Sequence, residues 1–213
     1  MPRPRSLDQD SIAEAALAIV DRAGLAALSM RAVAAGLGVG TMSLYRYVRG
    51  RADVERLVVD RVLLAADVPI STRVNWDRHV VERVSAMRAA IAEHPAAIPL
   101  LLAHAPASPR AWPWLEALLG ALSRAGFDAR QRVIAVRTLQ AYLIGAVQNQ
   151  YLNSLTGQGT LALASMPVTD FPVIAETARS ATSISADREF AQGLATVLAG
   201  LRASLLDRDA ASE

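Results

Sequence analysis

Apolar residues recur at three- and four-residue spacing along almost the whole chain, and no segment alternates apolar with polar residues between turns. The first pattern marks an amphipathic helix, which takes 3.6 residues per turn; the second would mark a strand. A chain patterned this way buries its apolar stripes by packing helix on helix. The sequence therefore predicts an all-α protein. Alanine and leucine, both good helix formers, dominate an apolar fraction of 53%, while aromatics make up 5%. At 213 residues and 20% charged side chains, the chain can bury a sizeable core in one or two domains.

Capping and breaking residues divide the pattern into helices. Asp8 is a good N-cap, and Ile12, Ala16, Ile19, Val20 and Ala23 follow as one stripe before Gly24. Ser29 is a second N-cap candidate. Short helices are predicted over residues 30–37 and 41–48, divided by Gly38, Val39 and Gly40, and a fourth over 52–66 after Gly50. Asp67, Pro69, Ser71, Thr72 and Asn75 read as a loop. Further helical stretches cover 76–94, 96–104, 109–125, 129–154 and 187–206, with a short one over 173–181. Residues 156–170 are a connection rich in Gly, Pro, Thr and Ser. The domain boundary falls near residue 67, giving domains 1–66 and 67–213.

Several chemistries are excluded early. With no cysteine there are no disulfides, thiolate zinc sites or cysteine nucleophile. His79, His94 and His104 are scattered, outside the spacings of helical metal sites, and no phosphate loop, nucleophile elbow or carboxylate pair stands out. No metal or cofactor is expected. Mean hydropathy is +0.26, but the uncharged stretch from Thr138 to Thr169 is broken by amides before it reaches the roughly 20 apolar residues a membrane span needs. No apolar signal region follows Met1-Pro2-Arg3-Pro4-Arg5. The expectation is a soluble cytoplasmic protein.

Residues Ser29 to Val48 read as a helix-turn-helix unit, two short helices across a glycine-containing turn. Val33, Ala34, Leu37, Val39, Leu44 and Val48 can form its small core. Thr41, Met42, Ser43, Tyr45, Arg46 and Tyr47 are then the outward positions of the third helix. Hydroxyls suit phosphate oxygens, arginine suits guanine and apolar atoms suit thymine methyls. The charge is placed accordingly. All 22 basic residues are arginine, and the net charge is +2. Residues 1–63 hold 9 Arg against 7 acids, whereas 64–213 hold 13 against 13, so the whole excess lies in the N-terminal part. Between Arg22 and Ala52 there are five arginines and no acid. Arginine forks to guanine or phosphate where lysine acts as a point charge.

These residues resemble the TetR family of transcriptional regulators. The resemblance is carried by Ile12, Ala15-Ala16, Gly24-Leu25, Leu28-Ser29-Met30-Arg31, Val33-Ala34, Leu37-Gly38-Val39, Ser43-Leu44-Tyr45-Arg46-Tyr47-Val48 and Arg51. It covers about residues 7 to 63. More loosely, Trp76-Asp77, Arg88-Ala89-Ala90, His94-Pro95, Leu115, Leu118, Leu122, Ala125-Gly126-Phe127 and the 143–145 region are similar to the tetracycline-repressor type of C-terminal domain. The family usually has lysine where Arg51 stands. The resemblance implies a homodimeric repressor that places its third helices in successive major grooves of palindromic double-stranded DNA. Ser29 would cap the second helix, Arg31 would touch phosphate or a base edge, Arg46 would read a base, and Arg51 would grip phosphate.

The resemblance further implies a small-molecule effector in the C-terminal domain, coupled to the DNA reader through the fourth helix. Candidate lining residues are Met87, Leu101, Leu102, Trp112, Trp114, Leu118, Phe127, Tyr142 and Gln148; for each alone, core packing is the rival reading. Arg83, Met87 and Leu101 stand where tetracycline binders carry polar and histidine ligands, so a largely apolar effector is expected in place of tetracycline–magnesium. The last long helix bears the stripe Phe190, Leu194, Val197, Leu198, Leu201 and Leu205, interrupted by Gly193 and Gly200. Glycine inside a helix costs about 1 kcal/mol against alanine. Close approach of a partner helix would compensate, and with Ala141, Gly145 and their neighbours this points to a four-helix dimer bundle. Intramolecular packing of the same stripe is the alternative. Two other functions stay open: a helical adaptor dimer without specific DNA binding, and a small enzyme.

Overall fold

The computed structural model describes residues 7–67 and 75–211, and every regular element there is helical. The α-helices are α1 (Gln9–Ala23), α2 (Met30–Leu37), α3 (Thr41–Leu44), α4 (Arg51–Ala65), α5 (Trp76–Ala92), α6 (Ile98–His104), α7 (Ala111–Arg124), α8 (Ala129–Leu152), α9 (Gln158–Ala164), α10 (Pro172–Ala181) and α11 (Ala186–Ala211). Short 3-10 turns lie at Leu25–Ala27, Pro95–Ala97 and Ala105–Ala107. The all-α expectation holds. Most of the loop expected at 67–75 lies outside the described residues.

Two elements differ from the sequence reading. The third helix, expected over 41–48, ends its α-helical part at Leu44. The next residues turn more tightly, so that the Tyr47 and Val48 amides both donate to the Leu44 carbonyl, at 2.9 and 3.0 Å. Tyr45, Tyr47 and Val48 are weaker helix formers, and Gly50 follows closely. The connection at 156–170 contains α9. Its Leu161-Ala162-Leu163-Ala164 run favours helix despite the flanking Gly157, Gly159 and Pro167.

The described residues form two compact units. The first joins 7–67 with 82–118. In it α1 begins with a reciprocal cap: the Asp8 carboxylate accepts the Ser11 amide at 2.8 Å, and the Ser11 hydroxyl accepts the Asp8 amide at 3.0 Å. α1 packs on α2 and α4, α2 on α3, and α4 on α6. Ile12, Val20, Leu28, Val33, Leu44, Val54 and Val58 are fully buried. Polar contacts reach between these elements. Arg61 pairs with Glu14 at 3.2 Å, His94 Nδ1 meets Asp21 at 2.9 Å, and the Ser108 hydroxyl donates to Asp60 at 2.5 Å. Arg83 is buried; burial pulls its pKa down and the charge of Asp67 opposes that shift. The Trp114 indole N–H donates to the Arg83 carbonyl at 3.4 Å.

The second unit joins 75–81 with 119–211. Here α8 packs on α11, and α9 on α10. Phe190, Leu194, Leu198 and Leu201 are the buried stripe of α11, and Val136, Leu139, Leu143 and Val147 are buried on α8. Trp76 meets Phe127 edge to face at 5.3 Å, and Arg202 pairs with Asp77 at 2.6 Å. Gly193 has a local cause. The Tyr142 hydroxyl donates to the Phe190 carbonyl at 2.6 Å, and the ring packs on Phe190 at 5.5 Å. A Cβ at Gly193 would lie 2.8 Å from Tyr142 Cε2. Because the ring is held at both ends, it cannot move aside cheaply. Gly193→Val is therefore expected to lower stability by about 1–3 kcal/mol, measured by chemical denaturation. In the Tyr142→Phe background, which frees the ring, the cost should shrink.

Candidate DNA-reading face

Ser29 has an extended backbone, and its hydroxyl accepts the Ala32 amide at 3.1 Å, capping α2. The helix ends at Gly38, which is left-handed at φ 68° and ψ 27°. Its amide and that of Val39 return to the α2 carbonyls, closing the turn. A side chain at this φ is strained, and nothing lies within 4 Å of the position. Gly38→Ala should cost about 1 kcal/mol through backbone conformation alone, read as a shift in the denaturation midpoint.

The turn delivers α3 with Leu44 and Val48 facing the core, 0% and 4% exposed. Met42 (78% exposed), Tyr45 (48% exposed) and Arg46 project outward, with Arg31 exposed on α2. Thr41, Ser43 and Tyr47 are half-buried rather than fully outward. Thr41 and Tyr47 lie three residues either side of Leu44 and so lean toward its inward face. The Gln9 side chain donates to the Tyr47 carbonyl at 3.3 Å and ties the end of this segment to α1. Gln9 escaped the sequence reading because nothing local marks it.

Arg51 opens α4 and is exposed. Its Nε donates to Glu55 at 2.7 Å, and its terminal nitrogen approaches the Leu25 carbonyl at 3.4 Å. Asp53 accepts the Arg49 amide at 2.7 Å and pairs with Arg56. An acid there suits the positive N-terminal end of α4, which explains why the acid-free run stops at this residue. Arg31, Arg46 and Arg51 thus share one unit with the exposed apolar and aromatic atoms of Met42 and Tyr45.

The residues expected around an effector divide between the units. Met87, Leu101, Trp114 and Leu118 are buried in the first. Tyr142 and Gln148, in the second, are half-buried, and the Tyr142 hydroxyl is committed to the Phe190 carbonyl. Phe127 packs against Trp76. Leu102 and Trp112 are exposed, at 50% and 55%. Each helical step turns about 100°, so Leu100 and Leu101 turn inward and Leu102 outward, while Trp112 lies opposite the buried Trp114.

The residues expected at a dimer interface also separate. Phe190, Leu194 and Leu201 are buried within the protomer, and Gly193 sits beneath Tyr142. Within the protomer these four pack against its own helices. Gly145 and Val197 are half-buried, whereas Ala141 and Gly200 are exposed.

A capped helix, a left-handed glycine turn and a second short helix with an arginine-bearing outer face define a helix-turn-helix protein with a larger helical C-terminal part. Residues 68–205 match the family described as tetracyclin repressor-like, C-terminal domain. The chain belongs to the TetR family. It is 34% identical over 150 residues to the HTH-type transcriptional repressor DrrR1 of Streptomyces coeruleorubidus, a match covering 70% of this chain and 55% of that protein. The chain thus spans little more than half the length of that relative. Among solved structures, apo ActR from Streptomyces coelicolor is 30% identical with a TM-score of 0.80, covering 95% of this chain and 98% of ActR. The complex of ActR with actinorhodin is similar at a TM-score of 0.78 and 30% identity, covering 93% and 98%. Among the described residues, no helix is long and apolar enough to cross a membrane.

Proposed function

We infer that the chain is a ligand-responsive transcriptional repressor. It binds palindromic operator DNA as a homodimer, in the cytoplasm, and is released by a small, largely apolar effector. The observation that carries this reading is that Arg31, Met42, Tyr45, Arg46 and Arg51 are all exposed, in a stretch free of acids from Arg22 to Ala52. Tyr45, Thr41, Ser43 and Tyr47 offer hydroxyls to the backbone, Arg46 reads a base, and Arg51 holds phosphate. Residues 1–66 serve the DNA and residues 67–213 the effector and the partner subunit.

DrrR1 is named a transcriptional repressor, and the TetR family protein ActR has been crystallised with actinorhodin. An effector site built around Met87, Leu101, Trp114 and Leu118 is consistent with an apolar ligand. A second copy would seat on the outer sides of α8 and α11. Val133, Ile134 and Ala141 are exposed on the first, and Ala195, Ala199 and Gly200 on the second. Small residues there let two helices approach closely.

A melting-temperature screen against a library of small molecules tests the effector. A ligand that binds only the folded protein raises its apparent stability by about 2.7 kcal/mol at a hundredfold excess over its Kd. The same compound should dissolve the protein–DNA complex in a mobility-shift assay. Stabilising compounds that leave the complex intact would contradict the coupling.

A further inference from the structure

Glu55 stands between Arg51 and His104. Its Oε1 takes the Arg51 Nε–H at 2.7 Å, and its Oε2 faces His104 Nε2 at 3.4 Å. Its side chain is 17% exposed, against 48% for Arg51 and 26% for His104. About half of the Arg51 side chain is exposed, and one terminal nitrogen makes a long contact to the Leu25 carbonyl. His104 ends α6, in the stretch that packs on α4 and its flanking 3-10 turns.

Several other charged groups of this unit have partners of their own. On α4, Asp53 pairs with Arg56, Asp60 accepts the Ser108 hydroxyl, and Arg61 pairs with Glu14. The turns Pro95–Ala97 and Ala105–Ala107, like α6 before His104, carry no titratable group. His94, beyond them, faces Asp21. Among the described residues, Glu55 is the acid within ion-pair distance of His104, and Arg51 holds its other oxygen.

We propose that Glu55 and His104 are positioning residues that tune the phosphate grip of Arg51, so that DNA binding tightens as His104 takes up a proton. This rests on the DNA-binding function proposed above. With His104 neutral, the charge of Glu55 is spent on Arg51, and a phosphate meets a guanidinium already partly neutralised. With His104 protonated, Glu55 is shared between two cations and more of the Arg51 charge is left for phosphate. Histidine is the side chain whose charge ordinarily changes between pH 5 and 8. By linkage, DNA binding and proton binding at His104 favour each other. The proton comes from solvent and no bond other than N–H is formed.

The test uses the full chain and a random-sequence 30-base-pair duplex, because a phosphate contact is independent of sequence. Affinity is measured by fluorescence anisotropy at pH 6 and pH 8 at constant, low ionic strength. The wild type is expected to bind about threefold tighter per protomer at pH 6, the size of effect seen for part-exposed charge pairs. His104→Gln should bind at pH 6 as weakly as the wild type does at pH 8. Glu55→Gln should bind at pH 8 as tightly as the wild type does at pH 6. The double variant should follow Glu55→Gln, and His104→Arg should be tight at both pH values. Tighter binding cannot come from misfolding, so the last three separate the proposal from damage to the fold. His94→Gln should keep the wild-type pH response. An unchanged pH response in His104→Gln, or a double variant as weak as His104→Gln alone, would overturn the proposal. Absence of any duplex binding by the wild type would instead overturn the function on which it rests.

Discussion

Leu44→Ala is expected to lower the stability of the first compact unit by about 2–5 kcal/mol and to abolish DNA binding at ordinary temperature. Leu44 is the buried member of α3, at 0% exposure. Its carbonyl also collects the amides of Tyr47 and Val48 that close the segment. α3 is four residues long and cannot persist alone. It is held by Leu44 and Val48 from inside and by Gln9 on the Tyr47 carbonyl. Removing the leucine leaves a cavity beneath the residues that would enter the groove. Differential scanning calorimetry with DNA titration at a temperature where the variant is folded separates the two effects. A variant of normal stability would show that α3 is held by something other than this side chain.

The second large effect falls on DNA preference. Arg46→Ala is expected to cost about 1–3 kcal/mol at one base position, the value of a two-pronged arginine–guanine contact, and to leave binding to unrelated DNA much less affected. Arg51→Ala should weaken all sequences alike and make the salt dependence shallower by about one released counterion per protomer. The difference follows from placement. Arg46 is on the outer face just after α3, whereas Arg51 begins α4 and is held at Nε by Glu55. Titrating both variants against a selected site and against random DNA, at several salt concentrations, checks this. Equal loss on both DNAs for Arg46→Ala would remove its reading role. The oligomeric state enters here too: light scattering should give about twice the 22.6 kDa chain mass, as a palindrome demands.

The helix-turn-helix unit was largely legible in the sequence because its signals are local. Asp8, Ser29, Gly24 and Gly38 sit where caps and turns need them, and the stripe Val33, Leu44, Val48 needs no distant partner to be recognised. Legibility fell wherever the answer depended on helix phase. In Leu100-Leu101-Leu102 each residue is apolar, and only the packed helix decides that the third faces water. The stripe from Phe190 to Leu201 announced burial but not which helix would supply it; α8 of the same chain does. Gly193 suggested a close approach, and the close neighbour is Tyr142. α9 was hidden because its glycines and the following proline outweighed a short Leu-Ala run. Arg51 and Glu55 stand four apart on α4, as helical spacing allows, but His104 meets Glu55 from far along the chain, and no spacing rule could have announced that contact.

The central claim is that the face formed by α2 and α3 reads DNA. Repeated selection from a pool of random duplexes, run with the wild type and with the Met42→Ala/Tyr45→Ala/Arg46→Ala variant, tests it most directly. The three exposed side chains can be cut back without opening the core. The wild type should enrich a two-fold symmetric sequence with half-sites about one helical turn, or 34–36 Å, apart, and the variant should enrich nothing while remaining folded. A wild type that enriches no sequence, or a variant that enriches the same one, would contradict the claim.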